Sequence, residues 1–205
     1  MKHKALRFTY KIFFALLGFS AIVTEAIALI ERGIFNPANF FSYFTIQTNI
    51  LVFVTLLVGA FMVAAGKASR RFDIIRSAVT VYILVVGIGF SMLLSTVEGL
   101  VLTAVPWDNV VLHYIIPAAA LADFLLDRPR RVVSFRRSLL WLLFPAAYVT
   151  YALMRGALTG WYPYPFLDSA TSGYGSVVFT VAGLFALGIG LIWATTRLAT
   201  NRKKS

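Results

Sequence analysis

Residues 41–71 read FSYFTIQTNILVFVTLLVGAFMVAAGKASRR, and this stretch decides the fold. From Phe41 to Ala65 there is no charged residue, and the run then breaks into Gly66, Lys67, Arg70 and Arg71. A hydrocarbon core is crossed by about 20 apolar residues at about 1.5 Å rise each, so Phe41–Ala65 is long enough to span it. The same pattern recurs on both sides. Apolar runs at 8–30, 74–97, 109–126, 139–154 and 173–193 bring the number of predicted spans to six.

Composition agrees with the pattern. Of 205 residues, 60% are hydrophobic and only 13% charged, against about 25% charged in a soluble domain. The chain is therefore read as all-α, a single polytopic bundle over 1–205 with no separate soluble domain. The first run exceeds the 7–15 residue core of a signal peptide, and no small-residue cleavage site precedes Glu31. It is read as a retained helix.

The net charge of +11 could suggest nucleic acid, but its distribution points elsewhere. Six spans place alternate connectors on opposite sides. The N-terminus, the second connector, the fourth connector and the tail together hold 17 of the 19 basic residues, leaving only Arg32 and Arg155 opposite. By the positive-inside rule the basic side is cytoplasmic, so both termini are expected there. The expected location is a plasma membrane, bacterial inner membrane in type, with membrane lipids as partners and no nucleic acid. On the outer side the connector 156–172, GALTGWYPYPFLDSATS, is rich in aromatics and prolines, which suits an ordered cap at the interface.

Polar groups inside a membrane are expensive and are therefore where function is sought. Thr45 lies about five residues into the second span, about 7 Å below the outer surface, and His113 lies at nearly the same depth in the fourth. Glu25 is about five residues short of the first helix's exit, and Arg155 ends the fifth helix at the same surface. These four can share one layer in the outer half of the bundle. Asn49 shares the face of Thr45 at i+4, whereas Gln47 points nearly the opposite way.

Each residue also has a plain structural reading. A membrane threonine commonly bonds back to its own i−4 carbonyl, and Asn or Gln commonly bridges helices. Glu25 and Arg155 are expected to neutralise one another. Asp123 is expected to pair with a connector arginine near the cytoplasmic face. The glycines at 87, 89, 183, 188 and 190 are read as sites of close helix packing.

Several chemistries are excluded. With no cysteine and one histidine inside a span, a zinc site of the usual three-ligand kind is not expected, and no cofactor is implied. Lys11, at the cytoplasmic edge, is the one lysine in a span, so a retinal Schiff base has no anchor. Neither a GxSxG elbow nor a Walker loop occurs. What remains is a hydroxyl and an imidazole. Histidine is the usual base for activating a threonine hydroxyl, and Asn49, Gln47, Arg155 or a tyrosine such as Tyr151 could supply donors to an oxyanion.

At these residues the chain resembles a known family. FSYFTIQTNILV (41–52), HYIIPAAALAD (113–123) and MRGALTGWYPYPFLD (154–168) look like bacterial six-helix relatives of the androgen-induced membrane protein family. That family contains hydrolases of fatty acid esters of hydroxy fatty acids, proposed to use an intramembrane threonine and histidine. The resemblance implies Thr45 as nucleophile, His113 as its partner, and a lipid-like ester as substrate. The 154–168 run belongs to the bacterial branch, and the resemblance gives it no role. The alternative reading is a non-catalytic membrane protein that binds or moves a small or lipid-like ligand through a polar pocket in the outer half.

Overall fold

The structure is a computed structural model, and it describes residues 2–95, 103–129 and 134–200. Six helices are long and apolar enough to cross a membrane: α1 (His3–Glu31), α2 (Phe44–Ala65), α3 (Arg70–Leu93), α4 (Pro106–Leu126), α5 (Phe135–Thr159) and α6 (Tyr174–Ala199). No strand occurs among the described residues. The six predicted spans are thus six helices, with shifted ends. The second begins at Phe44 rather than 41, because Asn36, Pro37 and Asn39 fold a separate turn, Pro37–Phe40, ahead of it. The fourth and fifth are longer than their apolar runs, starting at Pro106 and Phe135. Residues 96 and 97, at the end of the third predicted span, lie outside the described residues, as does Glu98.

Helix ends follow local chemistry. Asn36 caps the short turn through its side chain, which accepts from Asn39 N at 3.1 Å, and Pro37 supplies a pre-set φ at the first position. Ser69 caps α3 by accepting from Phe72 N. Gly160 ends α5 at φ 72°, a left-handed conformation that glycine adopts without strain, and so turns the chain into the aromatic cap between α5 and α6.

α1 packs most extensively on α2, and α3 sits centrally against α2, α4 and α6. Glycines set some of these approaches. A Cβ on Gly87 would lie 3.0 Å from the His113 carbonyl oxygen, so the α3 and α4 backbones nearly touch there. Gly89 and Gly188 also pack closely, against Leu184 and Leu142. Gly183 and Gly190 do not: nothing lies within 4 Å of a Cβ on either, so the packing expectation is corrected for these two. Their faces of α6 are open to the surroundings.

The outward surface is strongly apolar. Phe13, Phe61, Leu143, Phe179 and Trp193 are all more than half exposed. A belt of this kind would drive association in water and is what lipid covers.

A cluster of buried, paired charges lies at the end of the bundle away from the cap. Lys11 is 1% exposed and pairs with Asp123, which also accepts from Arg76 Nη1 at 3.1 Å. Arg7 pairs with Asp127, and Arg76 Nη2 donates to the Asp127 carbonyl. Asp123 pairs with Arg76, one of the basic residues grouped with the second connector, and also with Lys11, which the protein encloses. Three buried charges held together in this way fasten α1, α3 and α4.

Candidate functional site

The site forms where the start of α2 meets α4 beneath the aromatic cap formed by the α5–α6 connector. The first-turn N–H groups of a helix have no acceptor within it, and the first such bond in α2 runs from Gln47 N to the Tyr43 carbonyl. Tyr43, the N-cap residue, gives no side-chain cap. The Thr45 N–H is instead taken by the phenol oxygen of Tyr164, at 3.1 Å. The cap thus does for α2 what a Ser or Asp would otherwise do.

The Thr45 hydroxyl makes no bond to a carbonyl of its own helix. Its oxygen lies 3.3 Å from His113 Nε2 and 3.2 Å from the Tyr164 hydroxyl. Thr48, one turn on, follows the plain reading and donates to the Phe44 carbonyl at 2.8 Å. The two threonines differ because Thr45 sits in the first turn, where the only i−4 carbonyl is Phe41's, outside the helix.

His113 is presented by a wide turn. Residues Val111–Ile115 form a π-helical segment, in which Ile116 N bonds to the Val111 carbonyl. Pro117 has no N–H, so the His113 carbonyl cannot receive the ordinary i+4 bond, and the local repeat opens. Gly87 leaves space for this bulge against α3. The ring stacks on Phe90 at 3.9 Å between centroids. His113 Nδ1 lies 3.0 Å from the Asn109 carbonyl oxygen, which can only accept, so in the neutral ring Nδ1 carries the proton and Nε2 is an acceptor.

These constraints give the hydrogen bonds a direction. Thr45 donates to Nε2 of His113, and its oxygen is left to accept from the Tyr164 hydroxyl. Burial pushes the Tyr164 phenol up to about 12, so it remains a protonated donor. The chain runs Tyr164 to Thr45 to His113 to the Asn109 carbonyl. Such an arrangement can withdraw a proton from the Thr45 hydroxyl.

The other expected residues distribute differently. Asn49 is 1% exposed, and its Nδ2 donates to the Thr45 carbonyl at 2.9 Å and the Leu112 carbonyl at 3.3 Å. It bridges α2 to α4, so its donors are spent and it is not available to an oxyanion. Gln47 faces away and donates to the Phe41 carbonyl. Tyr151 bonds Ser42, 2.6 Å away, and thereby braces the turn before α2. Glu25 and Arg155 do not pair. Both carboxylate oxygens of Glu25 accept from Ala104 N, at 2.8 and 3.0 Å, while Arg155 donates to Asn39 and lies 4.4 Å over the Trp161 ring. Asp108 is completely buried beside Glu25. Among the described residues no group of three His, Cys, Asp or Glu could hold a metal.

Tyr164 is the member that sequence reasoning missed. It sits in a run already read as an ordered cap, but nothing in that run distinguishes it from Tyr162. In the structure Tyr164 is 6% exposed, stacked on Phe166 at 5.1 Å and edge-on to Tyr43. Tyr162 serves packing instead: a Cβ on Gly156 would fall 2.0 Å from its ring, so glycine is required at 156 for the cap to close on α5.

Two cavities meet at the site. A polar one of about 400 Å³ reaches Thr45, His113 and Tyr164 from the end of the bundle that carries the cap, past Glu25, Arg32 and Asn39. An apolar one of about 90 Å³ reaches Thr45 and Tyr164 from the opposite side, between α3, α5 and α6. Its walls include Val86, Phe90, Val149 and Leu184. No family model matches the chain, and neither a curated protein nor a solved structure matches it.

Proposed function

We propose that this protein is an integral membrane hydrolase of lipid esters, with Thr45 as nucleophile and His113 as general base. The observation that carries the reading is the approach of the Thr45 hydroxyl to an imidazole nitrogen whose partner nitrogen is tied to the Asn109 carbonyl. Both termini are assigned to the cytoplasm from the sorting of 17 of 19 basic residues, and the site then opens toward the outer leaflet. The resemblance to the androgen-induced membrane protein family points to the same pair and to fatty acid esters.

The two cavities suit an amphiphile whose ester lies at their junction. The acyl chain takes the apolar cavity and the more polar part takes the outer one. The Thr45 oxygen attacks the ester carbonyl while its proton passes to Nε2 of His113. The developing oxyanion meets the Tyr164 O–H at the start of α2, the positive end of that helix. Collapse breaks the ester C–O bond, and the leaving alcohol takes the proton from His113. Water, deprotonated by His113, then hydrolyses the threonine ester and restores the hydroxyl.

A fluorophosphonate tests this directly, because it phosphonylates activated hydroxyls with loss of fluoride. Labelling is expected at Thr45, with loss in both Thr45→Ala and His113→Ala while the variants remain folded. Labelling that survives in Thr45→Ala, or an active wild type that does not label, would refute the mechanism. The second reading, ligand binding without chemistry, draws on the 400 Å³ cavity. It predicts a folded wild type that neither labels nor turns over ester but is stabilised by an amphiphile.

A further inference from the structure

We propose that the basic end of the bundle carries a binding site for a phosphate group, separate from the Thr45 site and independent of its reading. A cleft of about 40 Å³ opens there among α1, α2, α3 and the end of α4. One water needs roughly 10–15 Å³, so there is room for a group bearing several oxygens.

Charge selects the ligand. Arg7, Lys11, Lys67, Arg76 and Arg128 line the cleft. Asp73 and Asp127 line it too, and Asp123 closes the network behind Lys11 and Arg76. Five cations against three carboxylates give this group a net charge of +2, which favours an anion. The N-terminus of α3, a helix of more than six turns capped by Ser69, borders the same cleft and adds its positive end.

A second, independent observation points the same way. Arg76 is 4% exposed, and its two terminal nitrogens are engaged by Asp123 and by the Asp127 carbonyl. Its Nε is buried with no partner, and so is the Nε of Arg7. A buried guanidinium N–H without an acceptor is unfavourable. A phosphate, with acceptor oxygens in several directions, suits Arg7, Lys67 and Arg76 where these three side chains line one cleft.

The same chemistry could come from a lipid headgroup or from free phosphate. Met62, Val63 and Phe72 form an apolar wall to the cleft, and Gly59 leaves the space through which the Lys11 stem and the Phe72 ring pass. An apolar wall beside a basic pocket suits a headgroup with its chains in the adjoining leaflet.

The full chain, purified in a neutral detergent, would be followed by thermal denaturation as ligand is added. Three ligands are compared: phosphatidylglycerol, phosphatidylcholine with the same chains, and inorganic phosphate. Phosphatidylglycerol is expected to raise Tm at concentrations where phosphatidylcholine does not. Lys67→Gln is expected to weaken this response about tenfold while leaving the lipid-free Tm unchanged, because Lys67 is exposed and outside the ion pairs. Arg76→Lys should weaken it as well if it folds, and the Lys67 variant decides the matter if it does not. A response to inorganic phosphate alone would support the site and assign it to free phosphate. No response to either anion, equal responses to the two lipids with none to phosphate, or a response unchanged in Lys67→Gln would overturn it.

Discussion

Replacing Tyr164 by Phe removes one oxygen and keeps the ring, which makes it the most informative single change. Stacking on Phe166 and the edge contact with Tyr43 use the ring alone and survive. Two bonds are lost, the 3.1 Å bond from Thr45 N and the 3.2 Å bond to the Thr45 hydroxyl. The N–H is in the first turn of α2 and has no other acceptor there, so its loss leaves a buried donor unpaired, a destabilisation of about 1–3 kcal/mol. For a chain of this size that corresponds to a fall in Tm of roughly 2–4 °C per kcal/mol. Catalysis should suffer more. If the phenol donates to the oxyanion, its removal lowers kcat by about 10²–10³, as for other oxyanion donors. The assay is ester turnover in detergent micelles, normalised to folded protein and read beside Tm. A Tm fall with the rate per folded molecule unchanged would show that Tyr164 only caps α2, and would refute its part in the chemistry.

Gly156→Ala places a Cβ 2.0 Å from the Tyr162 ring, so the cap must shift. A loss of about 1–3 kcal/mol in stability is expected from overpacking, with Thr45 labelling reduced as Tyr164 moves with the cap. Asp123→Asn leaves Lys11 and Arg76 buried without their shared carboxylate and should destabilise by about 3–5 kcal/mol, measured by thermal denaturation. Asp127 gives a pH signature. Burial alone would raise its carboxyl, but the Arg7 hydrogen bond and the charges of Arg76 and Lys11 outweigh it and hold the group below its ordinary value of 3.8. Its folded value is thus the lower one, so its stabilisation is present above about pH 4 and lost as pH falls through the folded value. Tm of the wild type should fall more steeply below pH 4 than that of Asp127→Asn.

The amino-acid sequence by itself determined the six helices and the sorting of charge between their ends. Both follow from hydropathy, which is additive along the chain and needs no knowledge of neighbours. Depth, counted at about 1.5 Å per residue, also brought Thr45 and His113 into one layer. Their meeting across 3.3 Å was left to packing, because depth fixes height in the bundle and says nothing of rotation about each helix axis. The facing of His113 toward Thr45 depends on the π-helical turn before Pro117 and on the room that Gly87 leaves, a contact between residues 30 apart.

Only the tertiary structure decided which polar groups were already engaged. Asn49 has the right face, but its donors go to two carbonyls on different helices. Glu25 and Arg155 share a surface, yet each finds a nearer partner, Ala104 N for one and Asn39 with Trp161 for the other. Tyr164 joins the site because Gly160 turns the chain back and Gly156 admits Tyr162 against α5. A hydrogen bond needs an atom within about 3 Å and a suitable angle. Composition and periodicity place residues on faces and at depths, and the assignment of each donor to its acceptor is made only when the helices close on one another.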